Sequence, residues 1–248
     1  MIRRPSLTPR QRLVALGLMF ASIVAVIVLA VVVAHGPVPP PRAVTIPAAD
    51  RNASPALIRA AEAVNFQPPQ EPGVGTIEGK PASAADPPIT GDLLPAGTLA
   101  PGFTAQTPQG KTVTLRSLRG KPVLLEFFAT WCPHCAAEAP HLQKLFTSLG
   151  GAKRVAFLGV DANGEDAPSV YAWHVYFGLG FPAVLDPSGH AVTFPHHGHM
   201  GPISKSYRVG AYPTFYVLDR RGRVVWASDG EQPDALLRQQ LARAARDS

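Results

Sequence analysis

The stretch Glu126-Phe127-Phe128-Ala129-Thr130-Trp131-Cys132-Pro133-His134-Cys135 decides how this chain folds and most of what it can do. Its two cysteines are the only two among 248 residues, and they are spaced C-x-x-C. The apolar run Val123 to Phe128 before them predicts a buried strand, and Ala136 to Leu149 after them predicts a helix. A strand that hands a C-x-x-C pair to a helix N-terminus puts sulfur where unpaired N–H groups and the helix dipole favour an anion. Cys132 is therefore expected to ionise below the range of a free thiol, and the thiolate is the form that attacks disulfides. A zinc site would need a second pair of ligands, and no further cysteine exists to supply it. A purely structural disulfide would sit in a loop, without this flanking Trp-Cys-Pro-His-Cys.

Outward from this centre the composition is uneven. Charged residues make up 16% and prolines number 27, and the net charge is +6. Four of the cations, Arg3, Arg4, Arg10 and Arg12, fall in the first twelve residues. No later Lys/Arg stripe interleaves with aromatics, which argues against a nucleic-acid partner. Leu13 to Ala34 carries no charge, Pro or Asn over 22 residues, long enough to cross a bilayer as a helix. Arginines precede it and no cation follows until Arg42, so the positive-inside rule places residues 1–12 in the cytoplasm and the bulk of the chain outside. The expected location is thus the cell membrane, single-pass. A cleaved signal peptide ending at Val32-Val33-Ala34 is the alternative, although signal cores are shorter than this run. Outside the cytoplasm disulfides persist and must be made, reduced or reshuffled. A domain whose only cysteines form a C-x-x-C pair fits an enzyme that acts on the disulfides of others.

Gly36 to Pro101 holds 14 of the 27 prolines and reads as an extended tether. Inside it Ser54 to Phe66 has a helical pattern, with Ser54 as cap, Pro55 at the first position, and Leu57, Ala60, Ala61 and Val64 on one face. Marginal order is expected there. From Ala100 the pattern turns compact. Phe103–Thr107 and Thr112–Leu115 predict a hairpin about Pro108-Gln109-Gly110. Arg154–Asp161 predicts a second buried strand and Ala167–Gly178 a helix. Thr214–Leu218 and Arg223–Ser228 predict a strand pair, and Pro233–Arg246 a terminal helix with Leu237 and Leu241 facing inward. Pro140 is expected to kink the helix after the cysteines. The order implies a mixed sheet with helices on both faces. The predicted division is residues 1–12 cytoplasmic, 13–34 transmembrane, 35–95 linker and 96–248 the folded domain.

From about Leu94 onward the chain resembles the membrane-anchored thioredoxin-fold thiol–disulfide oxidoreductases of the TlpA/ResA type. The matching residues are Ala100-Pro101-Gly102-Phe103-Thr104, Arg119-Gly120-Lys121-Pro122, Trp131-Cys132-x-x-Cys135, Pro140 and Tyr212-Pro213-Thr214-Phe215. The helix dipole, which acts most strongly on the first turn, makes Cys132 the expected reactive, exposed sulfur and Cys135 the buried resolver. The resemblance implies a thioredoxin-like α/β fold and no cofactor. It implies that Pro213 is cis and faces the disulfide, leaving the backbone of Tyr212 free to pair with substrate. It also gives Glu126, six residues before Cys132, the role of a buried acid that takes a proton from Cys135. Burial should raise the pKa of this carboxyl. Expected partners are protein disulfides or dithiols and a membrane redox partner.

The tuning residues Trp131, Pro133 and His134 complicate the direction. Pro133-His134 is the dipeptide of DsbA-like oxidases, whereas the surrounding frame resembles reductants and apocytochrome c maturation proteins. A protonated His134 would stabilise the thiolate and make the couple more oxidising. Two further readings stay open. His196-His197-Gly198-His199-Met200 has copper-friendly donors and would suit a metallochaperone acting with the Cys pair. A peroxidase would require a Pro-x-x-x-Thr-x-x-Cys motif, which Leu125 and Ala129 do not meet.

Overall fold

The computed structural model describes residues 53–69, 92–186 and 201–246. The stretches Leu13–Ala34 and His196–Met200 lie outside these residues, as does most of the Pro-rich tether. Among the described residues no helix is long and apolar enough to cross a membrane.

The sheet is built from β1 (Thr104–Gln106), β2 (Thr112–Thr114), β3 (Val123–Phe128), β4 (Ala156–Asp161), β5 (Ala183–Leu185), β6 (Thr214–Leu218) and β7 (Val224–Asp229). Its spatial order is β2-β1-β5-β4-β3-β6-β7. β3, β4 and β5 run parallel, and the flanking pairs are antiparallel. β3 is central and buried along its whole length, which is why it reads as a near-continuous apolar run. The helices are α1 (Pro55–Val64), α2 (Pro133–Ser148), α3 (Ala167–Phe177), α4 (Pro202–Ser206) and α5 (Asp234–Arg246).

Alternation along β3 sorts the core into two faces. Val123, Leu125 and Phe127 join a cluster with Leu115, Ile203, Tyr207 and Tyr216. Leu124 and Phe128 point the other way, toward α2, α5 and α3 through Leu142, Leu145, Leu237, Leu241 and Trp173. The three long helices therefore share one face. The opposite face is covered by short α4, a 3-10 turn at Leu115–Leu118 and the segment Leu93–Phe103. Glu126 is in register with Leu124 and Phe128, which puts a carboxyl on the face that α2 covers.

The predicted strands and helices recur, Val123–Phe128 and Thr214–Leu218 with the same ends and the others with ends moved by at most three residues. α2 begins at Pro133 and passes through Pro140 as one helix. Sequence reading missed β5 and α4, which are three and five residues long. It also underrated the island in the tether. α1 is capped by the Ser54 hydroxyl, which accepts from Leu57 N–H at 3.1 Å, and it packs along α3. Ala61 is fully buried, and Phe66 sits edge-on to Trp173, Tyr176 and Phe177 with centroids 5.7, 5.5 and 6.4 Å away. Burying one such ring stabilises by roughly 1.5–3 kcal/mol, and each edge-to-face pair adds about 0.5–1.5. That packing orders a helix too short to hold by itself.

Candidate active site

β3 ends at Phe128, and the turn Ala129-Thr130-Trp131 closes with the Cys132 N–H donating to Ala129 O at 3.1 Å. Cys132 is then the N-cap of α2, with extended backbone, and Pro133 takes the first helical position, where its missing N–H costs nothing. The Cys135 N–H points at Cys132 Sγ, 3.4 Å away. A sulfur thus occupies the place where a Ser or Asp oxygen commonly caps a helix. Both cysteines are thiols.

The expected exposed nucleophile is not exposed: Cys132 shows 4% of its surface and Cys135 none. Trp131 and Tyr212 pack against the same cluster as Cys132, their rings edge-to-face with centroids 5.9 Å apart. What separates the two sulfurs is ionisation. Hydrogen bonding from the Cys135 thiol, aided by the Cys135 N–H and the His134 charge, outweighs burial and lowers Cys132 from 9.0 to about 7. Burial, the same thiol–thiol bond and the fields of Cys132 and Glu126 push Cys135 well above its ordinary value.

Tyr212–Pro213 is a cis peptide and lies against the dithiol: Cys132 Sγ–H donates to Tyr212 O at 3.7 Å. The Tyr212 hydroxyl donates to Ala162 O at 3.1 Å, which anchors the ring to the loop after β4. The sequence brings these residues together only through the sheet, since β6 pairs with β3.

Glu126 is buried at 4% exposure and its Oε1 finds no hydrogen-bond partner among the described residues. Desolvation, then Glu138 and Cys132, raise its pKa well above the carboxylate range. The charge of Glu126 is among those that raise Cys135. Glu138, one turn along α2 from Cys135, escaped the sequence reading. It is 3% exposed, its Oε1 also lacks a partner among the described residues, and desolvation lifts it to about 7. It lines a cavity of about 480 Å³ with His141, Glu231, Gln232 and Asp234. A Glu three residues after a C-x-x-C on a helix shares its face with the second cysteine, and this was the available signal.

His134 is on the rim, and its Nδ1 lies 2.6 Å from Glu231 Oε1. Its side chain is 59% exposed, so solvent screens the charge it offers the thiolate. Ala129, where a peroxidase motif needs a hydroxyl, is fully buried and has none to give. The Thr130 hydroxyl is bonded to Glu165. Among the described residues no group of three or more His, Cys, Asp or Glu is arranged to hold a metal.

Comparison with known proteins agrees with this geometry. Residues 96–227 match the AhpC/TSA family. The chain is 32% identical over 126 residues to thioredoxin-like protein YneN of Bacillus subtilis, covering 51% of this chain and 66% of that protein. It is 31% identical over 141 residues to thiol-disulfide oxidoreductase ResA of Bacillus thuringiensis, covering 57% and 73%. Among solved structures, a candidate protein disulfide isomerase of Bacteroides thetaiotaomicron superposes with TM-score 0.52 at 30% identity, over 62% of this chain and 92% of that one. A candidate thiol:disulfide interchange protein DsbE of Chlorobium tepidum superposes with TM-score 0.51 at 25% identity, over 61% and 98%. With its dithiol at the mouth of β3, the chain belongs to the AhpC/TSA family and, within that thioredoxin-like fold, to the thiol–disulfide oxidoreductases of the ResA type.

Proposed function

We propose that the domain exchanges disulfides with protein substrates, with Cys132 as nucleophile and Cys135 as resolver. The observation that carries the reading is Cys132 Sγ at the cap of α2, 3.4 Å from the Cys135 N–H, with its pKa lowered to about 7. In the reducing direction the Cys132 thiolate attacks one sulfur of a substrate disulfide. The substrate S–S bond breaks, and the departing sulfur takes up a proton. Cys135 then gives its proton to Glu126 and attacks Cys132 Sγ. The mixed disulfide breaks, the second substrate thiol is released, and two electrons have passed to the substrate. The same steps reversed oxidise a substrate dithiol, and the potential of the partner sets the direction. The backbone of Tyr212 pairs with an extended stretch of substrate beside the reacting sulfurs.

The location belongs to the same proposal. Leu13–Ala34 anchors the chain in the cell membrane, the domain lies on the extracytoplasmic side, and a membrane redox partner restores the dithiol or disulfide. The arginines before the apolar run and the absence of cations until Arg42 support this orientation.

Cys135→Ser in the full chain should accumulate mixed disulfides with other proteins through Cys132, and Cys132→Ser should not. Equal trapping by both variants, or none by either, overturns the assignment of roles. Protease added to spheroplasts should digest the domain. A protected domain, or a chain found intact and soluble, overturns the anchored orientation.

A further inference from the structure

The loop that joins β4 to α3 carries two acids, Asp161 buried and Glu165 half-buried, that disulfide exchange does not employ. Asp161 ends β4 with no exposed surface. Its Oδ2 accepts from the Glu165 N–H at 2.7 Å and its Oδ1 from the Asn163 N–H at 3.2 Å, which folds residues 161–165 into a tight turn. The turn presents the Glu165 carboxyl to Thr130, two residues before Cys132. Glu165 Oε2 accepts from the Thr130 N–H at 2.7 Å, and Oε1 is bonded to the Thr130 hydroxyl. The same turn holds the other wall of the site, because Ala162 O accepts from the Tyr212 hydroxyl at 3.1 Å. Ala162 N–H in turn donates to Phe128 O at 2.9 Å, at the last residue of β3.

Five consecutive residues therefore grip the chain on both sides of Cys132, across 35 residues to Thr130 and 50 to Tyr212. We propose that this loop is a bracket that holds the attacking sulfur in line with the Cys135 N–H and the Tyr212 carbonyl, with Glu165 as its positioning residue. A carboxyl suits the task because its two oxygens meet the two groups that Thr130 presents, which a single hydroxyl could not. Burial raises the pKa of both acids, that of Asp161 well above its ordinary value. Neither acid touches a sulfur, so Glu165 acts through the backbone of Thr130.

The inference rests on Cys132 being the nucleophile, which the trapping experiment tests separately. Glu165→Ala in the full, reduced chain removes the clasp. Without it the Sγ alignment with the Cys135 N–H, which favours the thiolate, is lost, and the titration of Cys132, read by the pH dependence of its alkylation, should move up by about one pH unit. Glu165→Gln keeps an acceptor for the Thr130 N–H and a donor toward the hydroxyl and Asp161, and it should restore most of the wild-type titration. An unmoved titration in Glu165→Ala overturns the proposal. A Gln variant as impaired as the Ala variant also overturns it, since proton transfer rather than positioning would then be at work. Should Glu165→Ala fail to fold, Thr130→Val carries the test. It keeps the N–H bond and loses the hydroxyl, so a smaller upward shift is expected, and none would sink the idea.

Discussion

The Cys132 thiol donates to the main-chain carbonyl of Tyr212, 3.7 Å away and 80 residues further along the chain. The sulfur is therefore paired with the segment that leads into β6, while its own helix supplies the N–H that favours the anion.

The first prediction concerns the two sulfurs. Iodoacetamide is small enough to reach a cysteine of 4% exposure, and it should label Cys132 with a pH midpoint near 7. At pH 7 that gives roughly fifteen-fold more thiolate than an ordinary cysteine of pKa about 8.5. Cys135 should react only after unfolding. Peptide mapping of the alkylated protein reads the outcome, and early labelling of Cys135 reverses the assignment.

Glu126→Gln should leave that alkylation step in place and slow the resolving step. Positioned proton transfer contributes typically about 10²–10⁴-fold, so a loss of at least about ten-fold in the decay of a preformed mixed disulfide is expected. Stopped-flow release of a labelled thiol from Cys132 measures it. An undiminished rate would leave Glu126 a buried acid without a catalytic task.

His134→Pro should make the couple more reducing, because it removes a cation that favours the Cys132 thiolate. The Cys135 bonds to Cys132 matter more than His134, whose side chain is 59% exposed and engaged with Glu231. A screened charge of this kind is worth up to about 1 kcal/mol, which corresponds to about 20 mV for a two-electron couple. Equilibration against glutathione gives the potential. A shift toward the oxidising side would contradict the role of the imidazole.

The pH dependence of stability follows from Glu138. Its carboxyl titrates near 7 in the folded protein against 4.5 when free, so the folded state holds more protons between those values. Its contribution to stability is whole below about 4.5 and is lost as pH rises through 7, with a slope no steeper than about 1.4 kcal/mol per pH unit. Glu126 adds to the same trend. Urea denaturation of the reduced protein at pH 5 and pH 8 should show a smaller fall in Glu138→Gln than in the unsubstituted chain. Equal falls would mean that Glu138 is as solvated as a surface acid.

What the sequence made legible was local. The apolar run of β3, the helix N-terminus at the cysteines, the strand pair of β6 and β7 and the inward face of α5 each carry their signal in a short stretch of sequence. The face of Glu126 follows from simple alternation along β3. β5 and α4 were invisible because three or five residues leave no periodicity to read, and their places are set by β4 and by Asp186, whose carboxylate accepts from Ser204 N–H at 2.7 Å. Thr130, Asp161 and Glu165 were missed for the same reason, as their meeting depends on β3 and β4 lying side by side. Burial of Cys132 was also out of reach, because Tyr212, which packs against Trp131 beside it, lies 80 residues further along the chain.

The packing of α1 has a practical bearing on how the protein is cut. The family match begins at residue 96, yet Ala61 and Phe66 lie in the same apolar cluster as Trp173, Phe128 and both cysteines. A recombinant fragment started at Ala96 would strip the lid from this aromatic pile and leave Trp173 and Phe177 facing water. Such a fragment should be prone to self-association and report a thiol chemistry altered by the bared neighbourhood, whereas one started at Ala53 keeps the assembly whole.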